Sequence, residues 1–132
     1  MKQGKRKQVR KFGEVFSSDP LVSLALNQLP VKIWGDVSAI LLEPTCGDGA
    51  IVIQLLQKRT QALGGTEEAV LTALETIFAG EIQKKNITTC RKRLLTFVQS
   101  ITQNPKAIKR AKIIISRNIG CQNRLSQKEI VG

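Results

Sequence analysis

The run Ile40-Leu41-Leu42-Glu43-Pro44-Thr45-Cys46-Gly47-Asp48-Gly49-Ala50-Ile51 constrains this chain more than any other stretch. Apolar residues lead into a proline and two closely spaced glycines, and a helical pattern follows. That order predicts a short buried strand, a tight loop and the first turn of a helix. Such a loop gathers backbone N–H groups around one concave spot, the usual way an α/β protein receives a small polar ligand. Gly47 and Gly49 lack a Cβ, so the loop can take positive φ and let a ligand approach the main chain. Glu43 falls at the carboxyl end of the strand, where open parallel sheets bind ligands. Asp48 reads as the N-cap of a helix beginning at about Gly49. For a bare Gly-x-Gly, the plainer alternative is a tight turn that holds no ligand.

The rest of the chain supplies helices and strands around this loop. The helix after the loop, with Ala50, Ile51, Ile53, Leu55 and Leu56 as its apolar positions, is expected to end near Leu63, with Gly64-Gly65 as the stop. Thr66 followed by Glu67 and Glu68 opens another helix, acidic in its first turn. Its apolar positions Val70, Leu71, Leu74, Ile77 and Phe78 keep helical spacing, so the pattern by itself carries the helix on through residues 77–78. Over 83–103 the stripe Ile87, Cys90, Leu94, Val98 and Ile101 has helical spacing, with Lys84, Lys85, Arg91, Lys92 and Arg93 outward. Those outward cations are either a solvated helix face or a contact for DNA. Asn104-Pro105 starts a further helix running to Ile115, and residues 118–125 read as a third strand and its loop. Earlier in the chain, Asp19-Pro20 opens a helix ended by Pro30, and Trp34-Gly35-Asp36 reads as a turn.

A length of 132 residues suits one domain or part of one. The formal net charge of +11, from 21 Lys+Arg against 10 Asp+Glu, favours a polyanionic partner, nucleic acid first. Residues 1–11 carry Lys2, Lys5, Arg6, Lys7, Arg10 and Lys11 almost without apolar residues. They form either a solvated tail or a basic arm on phosphates, with Lys5, Arg6, Lys7, Arg10 and Lys11 as the contacts. No apolar run is long enough to cross a bilayer and no signal-peptide pattern opens the chain, so a cytoplasmic protein with no membrane partner is expected. Cys46, Cys90 and Cys121 lie far apart and there is no histidine, which argues against a structural zinc site and against Ser-His or Cys-His catalysis. Cys90 sits on the apolar stripe of its helix, as a small core residue does.

Glu43-Pro44-Thr45-Cys46-Gly47-Asp48-Gly49 resembles the (Asp/Glu)-Pro-x-Cys-Gly-x-Gly loop of S-adenosylmethionine-dependent N6-adenine DNA methyltransferases of restriction–modification systems. Residues 13–16, Gly-Glu-Val-Phe, are similar to the N-terminal cofactor motif of that family, with Ser17-Ser18 where Thr-Pro is usual. Gly80-Glu81-Ile82 is similar to its second motif, which implies a strand over residues 77–82 with Glu81 near its end instead of a continuing helix, and Gln122-Asn123-Arg124-Leu125 stands where Gly-Asp-Ala-Leu is usual. The resemblance covers about Lys11 to Leu125 and implies a partial Rossmann-like class I methyltransferase sheet with flanking helices over 12–132, preceded by the basic arm. It implies S-adenosyl-L-methionine as cofactor, held by Phe16, Ser17, Glu43, Pro44, Thr45, Cys46, Gly47 and Gly49 around its methionine part. Glu81 would take the ribose hydroxyls, and Ile82 and Asn123 the adenine.

The family's (Asn/Asp)-Pro-Pro-aromatic catalytic loop has no counterpart, because Pro20, Pro30, Pro44 and Pro105 are all isolated. No catalytic residue is therefore assigned. The expectation is the cofactor-binding portion of an adenine DNA methyltransferase, acting with DNA and with a second polypeptide or a second copy on its open sheet edges. The alternatives are a non-catalytic nucleic-acid- or partner-binding module derived from that fold, and an unrelated small RNA-binding protein.

Overall fold

The structure, a computed structural model, describes residues 28–43 and 47–120. Three short strands are built from the most apolar stretches: β1 (Leu41–Glu43), β2 (Ile77–Gly80) and β3 (Ile119–Gly120). They pair in parallel in the order β1-β2-β3, with Leu41 opposite Ile77, Glu43 opposite Ala79, and Ala79 opposite Ile119. Parallel neighbours need a crossover between them. Here each crossover is a pair of helices: α2 (Ala50–Ala62) and α3 (Glu67–Glu75), then α4 (Lys84–Ile101) and α5 (Pro105–Asn118). A one-turn helix, α1 (Lys32–Gly35), precedes β1. Among the described residues the chain is thus mixed α/β, with five helices and one parallel sheet, and no helix is long and apolar enough to cross a membrane.

The helix ends carry the signals read from the sequence. Beyond α2, Gly64 (φ +111) and Gly65 (φ +71) turn the chain back, and their N–H groups donate to the carbonyls of Gln61 and Thr60. This pair of bonds is a Schellman motif, which satisfies the last carbonyls of a helix. Thr66 caps α3 by accepting the Ala69 N–H at 3.1 Å. Asn104 caps α5 by accepting the Lys106 N–H at 3.1 Å, with Pro105 in the first turn.

One face of the sheet is dry. Leu41, Ile77, Ala79 and Ile119 share a pleat and join Val52, Leu56, Val70, Cys90, Leu94, Val98 and Ile114 in a single core. The stripe expected over 83–103 packs as read: Ile87, Cys90, Leu94 and Val98 are the buried residues of α4. Each fully buried aliphatic side chain contributes about 1.5–3 kcal/mol.

Several boundaries differ from the sequence reading. Gly49, and not Asp48, is the N-cap of α2, because that position has φ +96, a conformation glycine tolerates and other residues rarely adopt. Asp48 serves one residue earlier, accepting the Ala50 N–H at 3.2 Å. The Trp34 region forms the one-turn helix α1 instead of an open turn, with the Ile33 N–H donating to the Pro30 carbonyl. β2 stops at Gly80, four residues into the expected six, and just beyond it the Glu81 carboxylate accepts the Gln83 N–H as the chain turns into α4. Asn118 stays in α5 rather than opening the third strand, and its Nδ2 donates to the Leu74 carbonyl at 3.0 Å. Arg91 does not point outward. Its Nε and Nη2 both donate to the Ile119 carbonyl, at 2.8 and 2.6 Å. The Gly120 carbonyl accepts the Glu81 N–H on the β2 side, so the Ile119 carbonyl faces away from β2, and Arg91 blunts that edge of the sheet.

Candidate functional site

Parallel strands all end at one edge, and here that edge carries Glu43, Gly80 and Gly120. The glycine loop leaves it after β1. Gly47 has φ +53, and a Cβ there would meet nothing within 4 Å, so the loop backbone at this point borders open space. Gly49 has a different duty. A Cβ on it would lie 3.1 Å from both Cα and Sγ of Cys90, so its small size lets the start of α2 sit directly on α4.

Glu81 follows β2 and is buried, yet both of its oxygens are engaged. Oε1 accepts the Gly47 N–H at 3.1 Å, and Oε2 accepts the Gln83 N–H at 3.0 Å and Asn86 Nδ2 at 3.4 Å. The carboxylate therefore ties the glycine loop to the end of β2 and to the first turn of α4, where the helix dipole favours negative charge. Ile82, the next residue, is 78% exposed, an apolar side chain left beside a polar clamp. Glu43 is fully buried and shares its pleat with Leu41 and Ala79.

Of the residues singled out in the sequence, Glu43, Gly47, Gly49, Glu81 and Ile82 are thus described. Gly47 and Glu81 are in direct contact. Phe16, Ser17, Pro44, Thr45, Cys46 and Asn123 lie outside the described residues, as do Lys5, Arg6, Lys7, Arg10 and Lys11.

The sequence reading missed Arg59. Its side chain is fully buried in α2, and all five of its N–H donors find acceptors. Nε donates to the Trp34 carbonyl at 3.0 Å, and Nη1 to the Ala39 carbonyl at 2.7 Å and Thr76 Oγ1 at 2.9 Å. Nη2 donates to the carbonyls of Ile33 and Asp36. Burial pushes the guanidinium pKa down, and the nearby Asp36 charge opposes this. The signal was available: Arg59 falls three and four residues after Leu56 and Leu55, on the apolar stripe itself. Asn86, which completes the Glu81 clamp, carried no comparable signal.

A second hollow, a groove of about 540 Å³ between α2 and α4, is lined by Ile53, Gln57, Thr89, Lys92, Arg93 and Phe97, among others. It borders the loop through Arg93, whose guanidinium stands 3.9 Å from the Asp48 carboxylate.

A glycine loop and a carboxylate meeting at the carboxyl edge of a parallel sheet define the class of this protein by geometry: a mixed α/β domain with its candidate site on that edge. No family model matches the chain, and neither a curated protein nor a solved structure matches it.

Proposed function

We propose that this chain is the S-adenosyl-L-methionine-binding portion of an N6-adenine DNA methyltransferase with a Rossmann-like sheet. The observation that carries the reading is the 3.1 Å contact from the Gly47 N–H to Glu81 Oε1, which brings the two motif-bearing strand ends together. The strand order, the positive-φ loop and the exposed Ile82 support it.

The residues fit such a cofactor on one condition. The open space at Gly47 leaves room at the loop backbone, but the Glu81 carboxylate is already bonded to the loop. Binding would therefore exchange the Gly47 N–H on Oε1 for ribose hydroxyls, freeing that N–H for the ligand. Glu43, fully buried at the carboxyl end of β1, is the second acid at this edge. Ile82 offers an apolar surface to the adenine ring. When bound, the cofactor supplies an electrophilic methyl group on sulfur. The chain's own residues orient it, and the transfer loop is not among the 132 residues.

Isothermal calorimetry with S-adenosylmethionine tests this. Heat of binding is expected from the wild-type chain and not from Gly47→Asp or Glu81→Ala. A folded wild-type chain that gives no heat overturns the reading. The absence of any Pro-Pro pair favours a second reading, a non-catalytic module derived from the same fold. Methyl transfer to DNA by the isolated chain would exclude that module.

A further inference from the structure

We propose that the outward face of the α4–α5 hairpin is a docking surface for the phosphate backbone of duplex nucleic acid. This deepens the DNA part of the reading above but uses none of the cofactor residues. A chain that binds duplex and no cofactor keeps this inference and loses the other.

Charge sets this face apart. Residues 82–120 contain ten Lys and Arg and not one Asp or Glu. Three of the ten are committed within the fold: Arg91 to the Ile119 carbonyl, Arg93 near Asp48, and Arg117 to Glu75 at 2.8 Å. The other seven are exposed and form no ion pair among the described residues. They are Lys84, Lys85 and Lys92 on α4, the last at the groove toward α2, and Lys106, Lys109, Arg110 and Lys112 on α5.

Two acids of α3 are spent on attaching the hairpin. Glu67 of α3 accepts from Thr102 Oγ1 and Asn104 Nδ2 at the α4–α5 turn, and Glu75 of α3 pairs with Arg117 at the far end of α5. α3 thus grips both ends of the hairpin's inner side while its outer cations stay uncompensated. Holding seven like charges on two packed helices costs self-repulsion, which a polyanion relieves.

The same surface indicates which polyanion. Single-stranded partners are held largely by bases stacked on aromatic rings. α5 has no aromatic residue, and the one aromatic of α4, Phe97, lines the groove toward α2. At about 1.5 Å per residue α4 is about 27 Å long, a length over which a duplex offers on the order of 15 phosphates. Contacts of this kind position a duplex without reading its sequence.

Fluorescence anisotropy with a short labelled duplex, using the full chain, tests the surface. Lys109→Gln/Arg110→Gln/Lys112→Gln is expected to weaken binding about tenfold or more and to lower the salt slope by about three. Unchanged affinity and slope overturn the proposal. Amine-labelling of the wild-type chain, with and without duplex, decides the matter if that variant fails to fold. Lys106, Lys109 and Lys112 should become protected while Lys32 on α1 stays reactive, and equal labelling in both states overturns the proposal. Polyglutamate, or a single strand, that competes as well as duplex at equal charge concentration overturns the duplex assignment. RNA and DNA duplexes, run side by side, separate the two sources of the same phosphate chemistry.

Discussion

The Gly47 N–H and the Glu81 carboxylate meet at 3.1 Å across 34 positions of sequence. This bond fastens the loop after β1 to the end of β2, and Glu81 spends its other oxygen on Gln83 and Asn86. A single buried carboxylate thereby sets the shape of the candidate site.

Glu81→Gln should loosen that site. A glutamine has one acceptor oxygen, so it can serve the Gly47 N–H or the Gln83 N–H but not both. A loss of about 1–3 kcal/mol in urea unfolding is expected, with a shift of the Gly47 amide resonance. Unchanged stability and an unmoved Gly47 amide would show that the clamp does not form in solution.

The two loop glycines should respond unequally to alanine. Gly47→Ala meets no atom and bears only the cost of φ +53, about 1–2 kcal/mol. Gly49→Ala adds a Cβ within 3.1 Å of Cys90 at φ +96 and should be clearly worse. Cys90→Ala relieves only the Sγ contact, leaving Cα and Cβ at 3.1 and 3.2 Å, so its rescue of Gly49→Ala is partial. Thermal unfolding of the four variants checks the order.

Arg59→Met removes five hydrogen bonds and strands buried carbonyls of the α1–β1 connection. The expected cost is about 1–3 kcal/mol for each acceptor left without a donor and shut from water. Arg59→Lys should recover little of it, because an ammonium cannot reproduce the planar five-donor fork. Equal stability of the lysine variant and the wild type, by urea denaturation, would refute the hub.

Asp36 should titrate low. The Ser38 hydroxyl and the Ser38 N–H both donate to its Oδ1, and they hold its carboxyl below the ordinary 3.8. Folding lowers this pKa, so the stability it contributes is complete above 3.8 and disappears as pH falls through the folded value. Carbon-detected NMR titration should place Asp36 below 3.8, and Ser38→Ala should bring it back up.

What the sequence alone made legible was set by neighbours in the chain. The Ile87, Cys90, Leu94 and Val98 stripe, the Thr66 and Asn104 caps and the Gly64-Gly65 stop depend on spacing and local hydrogen bonds, and all are found. The glycine loop was also marked by local pattern, whereas the strand before Glu81 was indicated only by the family resemblance, because the apolar spacing of α3 runs on through Ile77 and Phe78 although the helix ends at Glu75. Tertiary structure alone decided that Glu81 would grip Gly47, that Arg59 would gather five acceptors under β1, and that Arg91 would turn inward to the edge of β3. A polar group leaving water takes whichever partners packing brings within reach. For these three, those partners arrive from loops, helices and strands 17 to 34 positions away, a separation that no local pattern encodes.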